Sequence, residues 1–197
     1  MAPSGSPSQR QRLEALELAP TERLRVDQDI ATFDHVAVQI AAVDGEVRRL
    51  STSELWAEQV PYLVQLPGIA LLSAMTILGA VGDVTRFPTA KQLVGYAGLG
   101  AGVHDSGKTH RDKAITKQGR RELRYVMIEA ARAAAQSHLY WKHEFAQLER
   151  RIGEPKALVA IARKLLIVVW HVLMARSADR RADAEQVAFK LMSGPGN

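Results

Sequence analysis

The chain has 197 residues, a net charge of +5 and no cysteine. This length suits one domain with an appendage better than two domains. The lack of cysteine excludes disulfides, thiolate zinc sites and cysteine nucleophiles, and it suits a cytoplasmic protein. The positive charge favours nucleic acid, an acidic membrane surface or an acidic partner, and it does not choose among them.

The N-terminal part predicts a disordered tail followed by a long helix. Residues 1–9 are rich in Pro, Ser and Gly and lack the apolar core of a signal peptide. Residues 10–60 are expected to be helical, with a break near Pro20. Their apolar seam recurs in steps of three and four residues, which fits a coiled coil and, equally, an amphipathic helix packed on its own domain. The seam consists of Phe33, Val36, Ile40, Val43, Val47 and Leu50.

Residues 61–176 predict a compact helical domain that is punctuated by glycine and proline. Pro67-Gly68 leads into a helix over Ala70–Leu78, and the glycines that follow end it. A short helix is then expected, with Thr85 or Thr89 as its cap, and it stops at the glycines of 98–102.

The second half of this domain predicts a loop and two long helices. The loop covers 103–118, one helix runs from about Gly119 towards Leu148, and another covers Lys156–Arg176, with Pro155 in its first turn. Residues 177–197 are expected to be a C-terminal tail. No run alternates with a period of two, so the fold class is all-α. The apolar run of 157–174 is interrupted by Arg163 and Lys164, so no membrane span is expected.

Two segments have the composition of a nucleic-acid contact. At the turn Leu66–Ile69, backbone amides near Gly68 can bind phosphate at a helix N-terminus, as in a helix-hairpin-helix; an ordinary turn between helices has the same sequence. The segment Val103–Arg124 holds seven basic and three acidic residues, which suits phosphate neutralisation and also fits a solvated loop without a partner. Its candidate contacts are Gly107, Lys108, Arg111, Lys113, Lys117, Arg120 and Arg124.

Ser106 lies inside the basic segment, before Gly107. A serine acts as a nucleophile only where its proton is removed and the developing charge is stabilised. His104, Asp105 and His110 are close in sequence, but their spacing is not typical of a metal site, and no metal ligand is assigned. On these residues alone, an ordinary Ser-Gly turn is the more common interpretation. Outside the segment, His171 predicts a core or interface position, and Tyr140, Trp141 and Phe145 predict a helix crossing.

Taken in order, several pieces of the chain resemble the C-terminal serine domain of the DEDD/serine insertion-sequence transposases, the recombinases guided by a bridge RNA. The resemblance runs from about Leu66 to about Met174. It implies a helical domain in which Ser106 attacks DNA and forms a phosphoserine intermediate. Relatives favour Gly-Asn where this chain has Gly119-Arg120. The pieces are Leu66–Ile69, Gly79–Asp83, Arg86–Ala90, Tyr96–Leu99, Ser106-Gly107, Ile115–Gly119, Leu123-Arg124 and Ala162–Lys164.

The resemblance also implies a further domain, a cofactor and partner molecules. Family members have an N-terminal acidic domain that binds magnesium, and a coiled coil that assembles subunits. We therefore expect a truncated transposase half with no cofactor of its own, with DNA and a structured guide RNA as partners, and with homo-oligomers formed through residues 10–60. The alternatives are a non-catalytic helix-hairpin-helix or dimerising module, and a degenerate remnant without activity.

Overall fold

The computed structural model describes residues 7–102, 113–115 and 119–179. Within these ranges the fold is all-α, as predicted. The helices are α1 (Pro7–Glu14), α2 (Pro20–Ser51), α3 (Val60–Val64), α4 (Leu71–Val81), α5 (Ala90–Tyr96), α6 (Arg121–Ser137), α7 (Leu139–Ile152) and α8 (Glu154–Ala175). A 3₁₀ turn, η1 (Val84–Arg86), precedes α5, and two short strands, β1 (Ala101–Gly102) and β2 (Lys113–Ile115), pair antiparallel.

The N-terminal helices form an arm. Pro7 begins α1, so part of the expected tail is helical, and the chain breaks before Pro20, which lies in the first turn of α2. Arg10 reaches back to Asp34 with nitrogen–oxygen distances of 2.6 and 2.9 Å. Arg23 donates a hydrogen bond to the Leu13 carbonyl at 3.0 Å. These contacts fold α1 against α2.

The apolar seam of α2 divides into two parts. Val47, near its C-terminal end, packs against the domain core. Further towards the N-terminus, Phe33, Ile40 and Val43 are 47%, 56% and 58% exposed. The interpretation as a helix packed on its own domain therefore holds only for the C-terminal end of α2.

Helix α8 is the centre of the domain and packs against α5, α6 and α7. Its side chains Ile161, Leu165 and Leu166 are fully buried. By length and composition, α8 is the one helix in the described part of the chain that could cross a membrane, but half of its apolar window is buried inside the protein. Such burial is also typical of a central helix in a helical domain.

The long helix predicted from Gly119 to Leu148 is in fact two helices. The backbone of His138 is extended, with φ −117° and ψ 123°, and it separates α6 from α7. The change of direction lets α7 bury Trp141, which is 3% exposed, and pack Phe145 against the core. The sequence has no glycine or proline at this point, so no helix-breaking residue indicates the break.

Helix α5 begins with a reciprocal cap. The Thr89 hydroxyl accepts a hydrogen bond from the Gln92 amide, and the Gln92 side chain accepts one from the Thr89 amide at 3.1 Å. Of the two caps predicted from sequence, Thr89 is the correct one for α5. Thr85 instead lies in η1, where its amide and hydroxyl donate hydrogen bonds to Asp83 at 2.9 and 2.7 Å.

We expect Thr89→Ala to lower the free energy of unfolding by about 1 kcal/mol, because the Gln92 amide at the start of α5 loses the Thr89 hydroxyl as its acceptor. Urea denaturation measures this change. Thr76→Ala is the matched control, since the Thr76 hydroxyl bonds only to the Leu72 carbonyl one turn back in α4. Equal stability of Thr89→Ala and the wild type would show that the cap does not stabilise the domain.

Candidate nucleic-acid interface

The ends of the Ser106 segment are adjacent in the structure. β1 pairs with β2, with Ala101 opposite Ile115 and Gly102 opposite Lys113. Five of the predicted site residues lie outside the described part of the chain: Ser106, Gly107, Lys108, Arg111 and Lys117. The pairing corrects the prediction of an unbroken loop over 103–118. Strands of two and three residues are too short to produce a period-two pattern, so no sequence pattern indicates them.

Gly119 joins β2 to the body of the domain. An added Cβ would lie 2.4 Å from the Tyr96 carbonyl oxygen and 2.6 Å from the Gly98 nitrogen. Because both neighbours are backbone atoms, only glycine fits this approach. This contact places Gly119 directly against the backbone of Tyr96–Gly98. The two glycine-containing parts of the sequence therefore pack together at the base of the β1–β2 pair.

Two of the predicted phosphate ligands contact the turn that follows α5. The Arg120 amide donates to the Tyr96 carbonyl at 2.9 Å, and its Nε donates to the Tyr96 hydroxyl at 3.0 Å. Arg124 donates to the Ala97 carbonyl at 3.3 Å. Arg120 is exposed and Arg124 is half-buried. Both arginines therefore hold the base of the hairpin as well as carrying charge there.

Arg86 completes this cluster, although sequence reasoning did not select it as a ligand. Its guanidinium lies 4.7 Å from the Phe87 ring centroid and 4.8 Å from that of Tyr96. Tyr96 in turn donates to the Ala80 carbonyl at 3.2 Å. Burial raises the pKa of the Tyr96 hydroxyl, but hydrogen bonds from Arg120 and Arg86 outweigh this effect and leave the pKa below its usual value.

Gly68 has a structural explanation that the sequence did not reveal. Its φ is +79°, and an added Cβ would lie 2.0 Å from the Ala130 carbonyl oxygen. The Ile69 amide, one of the groups expected to face phosphate, donates to the Leu66 carbonyl at 3.2 Å. The turn therefore packs on α6, and a phosphate contact there stays a prediction. The same holds for the helix-hairpin-helix assignment.

The structure does not bring all the predicted ligands together. Gly68 meets α6 at Ala130, whereas Arg120 precedes the first turn of that helix. At 1.5 Å per residue, the two points lie about 15 Å apart along the helix axis. The candidate interface is therefore the hairpin base with Arg86, Tyr96, Arg120 and Arg124, which we call the arginine edge.

The remaining candidates serve packing or lie at the surface. His171 is exposed, with its ring 4.9 Å from that of Trp170, so the core alternative was wrong and the interface alternative stays a prediction. Tyr140 packs edge-on against Trp141, as expected for a helix crossing. Lys164 forms an ion pair with Glu144. Over the described ranges, no group of three or more His, Asp or Glu side chains is arranged to hold a metal ion.

Arginines clustered on one edge of a domain are an electrostatic feature that many nucleic-acid-binding proteins share. Comparison with known families indicates which kind of nucleic-acid-binding protein the chain resembles. Residues 60–147 match the model of the Transposase IS116/IS110/IS902 family. This region includes the Gly68 turn, the arginine edge and the Ser106 segment.

Curated relatives are similar over most of this chain. The transposase of insertion sequence element IS1111A from Coxiella burnetii is 28% identical over 81% of the chain. The putative transposase y4qE from Sinorhizobium fredii is 30% identical over 81% of it. A pilin gene-inverting protein from Moraxella bovis is 30% identical over 75%. The chain spans 42%, 42% and 47% of these relatives, respectively. Together the matches show that this chain is similar to transposases of this family over most of its length.

Proposed function

We infer that this chain is the DNA-binding, serine-nucleophile half of an insertion-sequence transposase or recombinase. The family match and the relatives support transposition or recombination in general. The observation that carries the finer proposal is the β1–β2 pairing, which brings both ends of the Ser106 segment to the arginine edge. Since the chain has no cysteine, the proposal includes a cytoplasmic location.

In the proposed reaction, the Ser106 hydroxyl oxygen attacks the phosphorus of a DNA phosphodiester. A serine–phosphorus ester bond forms, one DNA ester bond breaks, and the leaving DNA oxygen takes up a proton. Arginine and lysine side chains stabilise the additional negative charge on the pentacoordinate phosphorus. We assign this role to Lys108 and Arg111, and backbone contacts to Gly107, Lys113, Lys117, Arg120 and Arg124.

The serine proton requires an acceptor, and three remain candidates: an acid of an N-terminal domain, an acid of another subunit, and His104. Magnesium belongs to the proposed acidic domain of full-length relatives. The described residues of this chain offer no cluster of side chains to hold it. A structured guide RNA is the further partner that this proposal includes.

The proposal is tested by trapping a covalent protein–DNA adduct. The chain is joined to the acidic domain of a full-length relative and incubated with DNA that carries the insertion-sequence end. The product is then resolved by denaturing electrophoresis. We expect an adduct with the wild type and none with Ser106→Ala. An adduct of undiminished yield in Ser106→Ala would exclude Ser106 as the nucleophile.

A second candidate function is a non-catalytic DNA-binding or dimerising module. The observation that favours it is that neither the arginine edge nor the exposed part of α2 involves Ser106. Such a module binds DNA in a salt-dependent way and forms no adduct, even when the acidic domain is supplied.

We also propose that α2 assembles chains through its exposed seam. Replacing Val36 and Val43 together with glutamate is expected to convert an oligomer to monomers, because charged side chains at these coiled-coil positions disrupt the apolar contact. Light scattering coupled to size-exclusion chromatography measures the mass.

The matched control for this experiment is Val38→Glu. Val38 lies on the same helix, is 66% exposed and falls outside the seam. We expect Val38→Glu to retain the mass of the wild type. A wild type that is already monomeric at high protein concentration would contradict assembly through α2.

A further inference from the structure

We propose that Arg86 and Arg120, held side by side on Tyr96, form a binding site for a phosphodiester of the DNA backbone at the foot of the Ser106 hairpin. The identity of the ligand rests on the proposed function, since DNA is the partner of a transposase. Arg86 and Tyr96 are assigned to binding here on geometry alone.

Three separate elements build this site. Arg86 comes from η1, Tyr96 from the end of α5, and Arg120 from the residue that caps α6. The guanidinium of Arg86 lies over the Tyr96 ring, and Nε of Arg120 donates to the Tyr96 hydroxyl. A planar guanidinium that is held on an aromatic ring is already oriented for a bidentate contact, so less side-chain entropy is lost on binding.

The charges around this pair favour an external anion. Both guanidinium groups are exposed, and they interact with the same phenol. In the described ranges, the ion pairs of arginines involve Arg10, Arg23, Arg49 and Arg176, and none involves Arg86 or Arg120. Two like charges held close together without a carboxylate between them repel each other, and a bound phosphate removes this repulsion.

Among the described residues, no acidic side chain forms an ion pair with Arg86 or Arg120. Both carboxylate oxygens of Asp83 accept hydrogen bonds from Thr85, and Asp83 acts on Arg86 by charge without forming an ion pair with it. Glu122 makes only a minor electrostatic contribution at Arg120. Within the part of the chain that the structure describes, the positive charge at Tyr96 is therefore not paired with a carboxylate.

The position of the site favours the DNA backbone close to the reacting phosphate. Gly119 holds the strand that leaves the hairpin against the Tyr96–Gly98 backbone, directly before Arg120. The two arginines therefore lie next to the point where the Ser106 segment joins the body of the domain. Contacts of this type are independent of base sequence and position the duplex.

The test is binding of a short fluorescein-labelled DNA duplex to the full chain, measured by fluorescence anisotropy over a range of salt concentrations. We expect Arg86→Gln to weaken binding roughly five- to tenfold and to reduce the slope of log K against log salt by about 0.9, the value for one lost phosphate contact. Two duplexes of unrelated sequence are expected to show the same loss.

Two further variants separate geometry from charge. Arg86→Lys keeps the charge but not the stacked plane, and Tyr96→Phe keeps both arginines but removes the shared hydroxyl. We expect each to weaken binding several-fold with an unchanged salt slope. Arg132→Gln is the control, because Arg132 is an exposed arginine of α6 about 18 Å from Arg120 along the helix. Thermal unfolding verifies that each variant is folded. If Arg86→Gln does not fold, the loss of binding in Arg86→Lys is compared with that of the control instead.

Equal effects of Arg86→Gln and Arg132→Gln would overturn this site and leave the proposed function standing. Absence of DNA binding by the wild type at low salt would also overturn it, whereas the Ser106 chemistry is judged separately by the adduct. Loss of adduct formation in Ser106→Ala together with equal binding by all the arginine variants would show that the chemistry is correct and this site is wrong.

Discussion

Replacing Gly68 with alanine is expected to lower the free energy of unfolding by about 3–5 kcal/mol, which combines the cost of a positive φ with that of overpacking. Gly68 has a φ of +79°, and a Cβ there would lie 2.0 Å from the Ala130 carbonyl oxygen and 2.8 Å from the Ala134 nitrogen. Both contacts are with the backbone of α6, which cannot move aside as a flexible side chain does. Urea denaturation measures the loss.

Gly79→Ala is the matched control for this experiment. Gly79 lies inside α4, and an added Cβ meets nothing within 4 Å. We expect this variant to be more stable than the wild type by roughly 0.5–1 kcal/mol, since alanine favours the helix. If Gly68→Ala unfolds at the wild-type urea concentration, the close packing of the turn on α6 is wrong.

Replacing Ser106 with alanine is expected to reduce DNA strand cleavage by roughly 10⁴-fold or more, because the variant has no oxygen to attack phosphorus. The assay uses the chain joined to the acidic domain. DNA affinity is expected to stay within about twofold of the wild type, since affinity comes mainly from phosphate contacts with basic side chains.

Ser137→Ala serves as the control for loss of a serine. The Ser137 hydroxyl donates only to the Ala133 carbonyl at 2.8 Å, at the far end of α6 from the arginine edge. We expect its cleavage rate to match that of the wild type. Equal cleavage by Ser106→Ala and Ser137→Ala would contradict the serine mechanism.

Much of the helical organisation could be predicted from residues that act locally. Pro20 and Pro155 lie in the first turns of α2 and α8, and Thr89 caps α5. Gly82, with a φ of +61°, ends α4. Each of these effects depends on the conformational preference of one residue and its near neighbours, so it is visible in the sequence.

Features that depend on contacts between distant residues could not be predicted in this way. The break at His138 follows from the burial of Trp141, and the shape of the Gly68 turn follows from Ala130, far along the chain. Sequence spacing indicated a phosphate-binding turn at Gly68, but helix packing accounts for this glycine.

The candidate site was predictable in charge but not in geometry. Composition identified Arg120 and Arg124, while Arg86 and Tyr96 were missed as ligands. These two side chains reach Arg120 only through tertiary packing of η1, α5 and α6. No periodicity relates positions 86, 96 and 120, so only the fold reveals the cluster.

The most direct test of the central proposal is to identify the residue that becomes linked to DNA. The trapped adduct is digested with nuclease and protease, and the modified peptide is sequenced by tandem mass spectrometry. We predict a nucleotide attached through phosphate to Ser106. Attachment to any other residue, or no modified peptide when the acidic domain and the insertion-sequence end are both present, would contradict it.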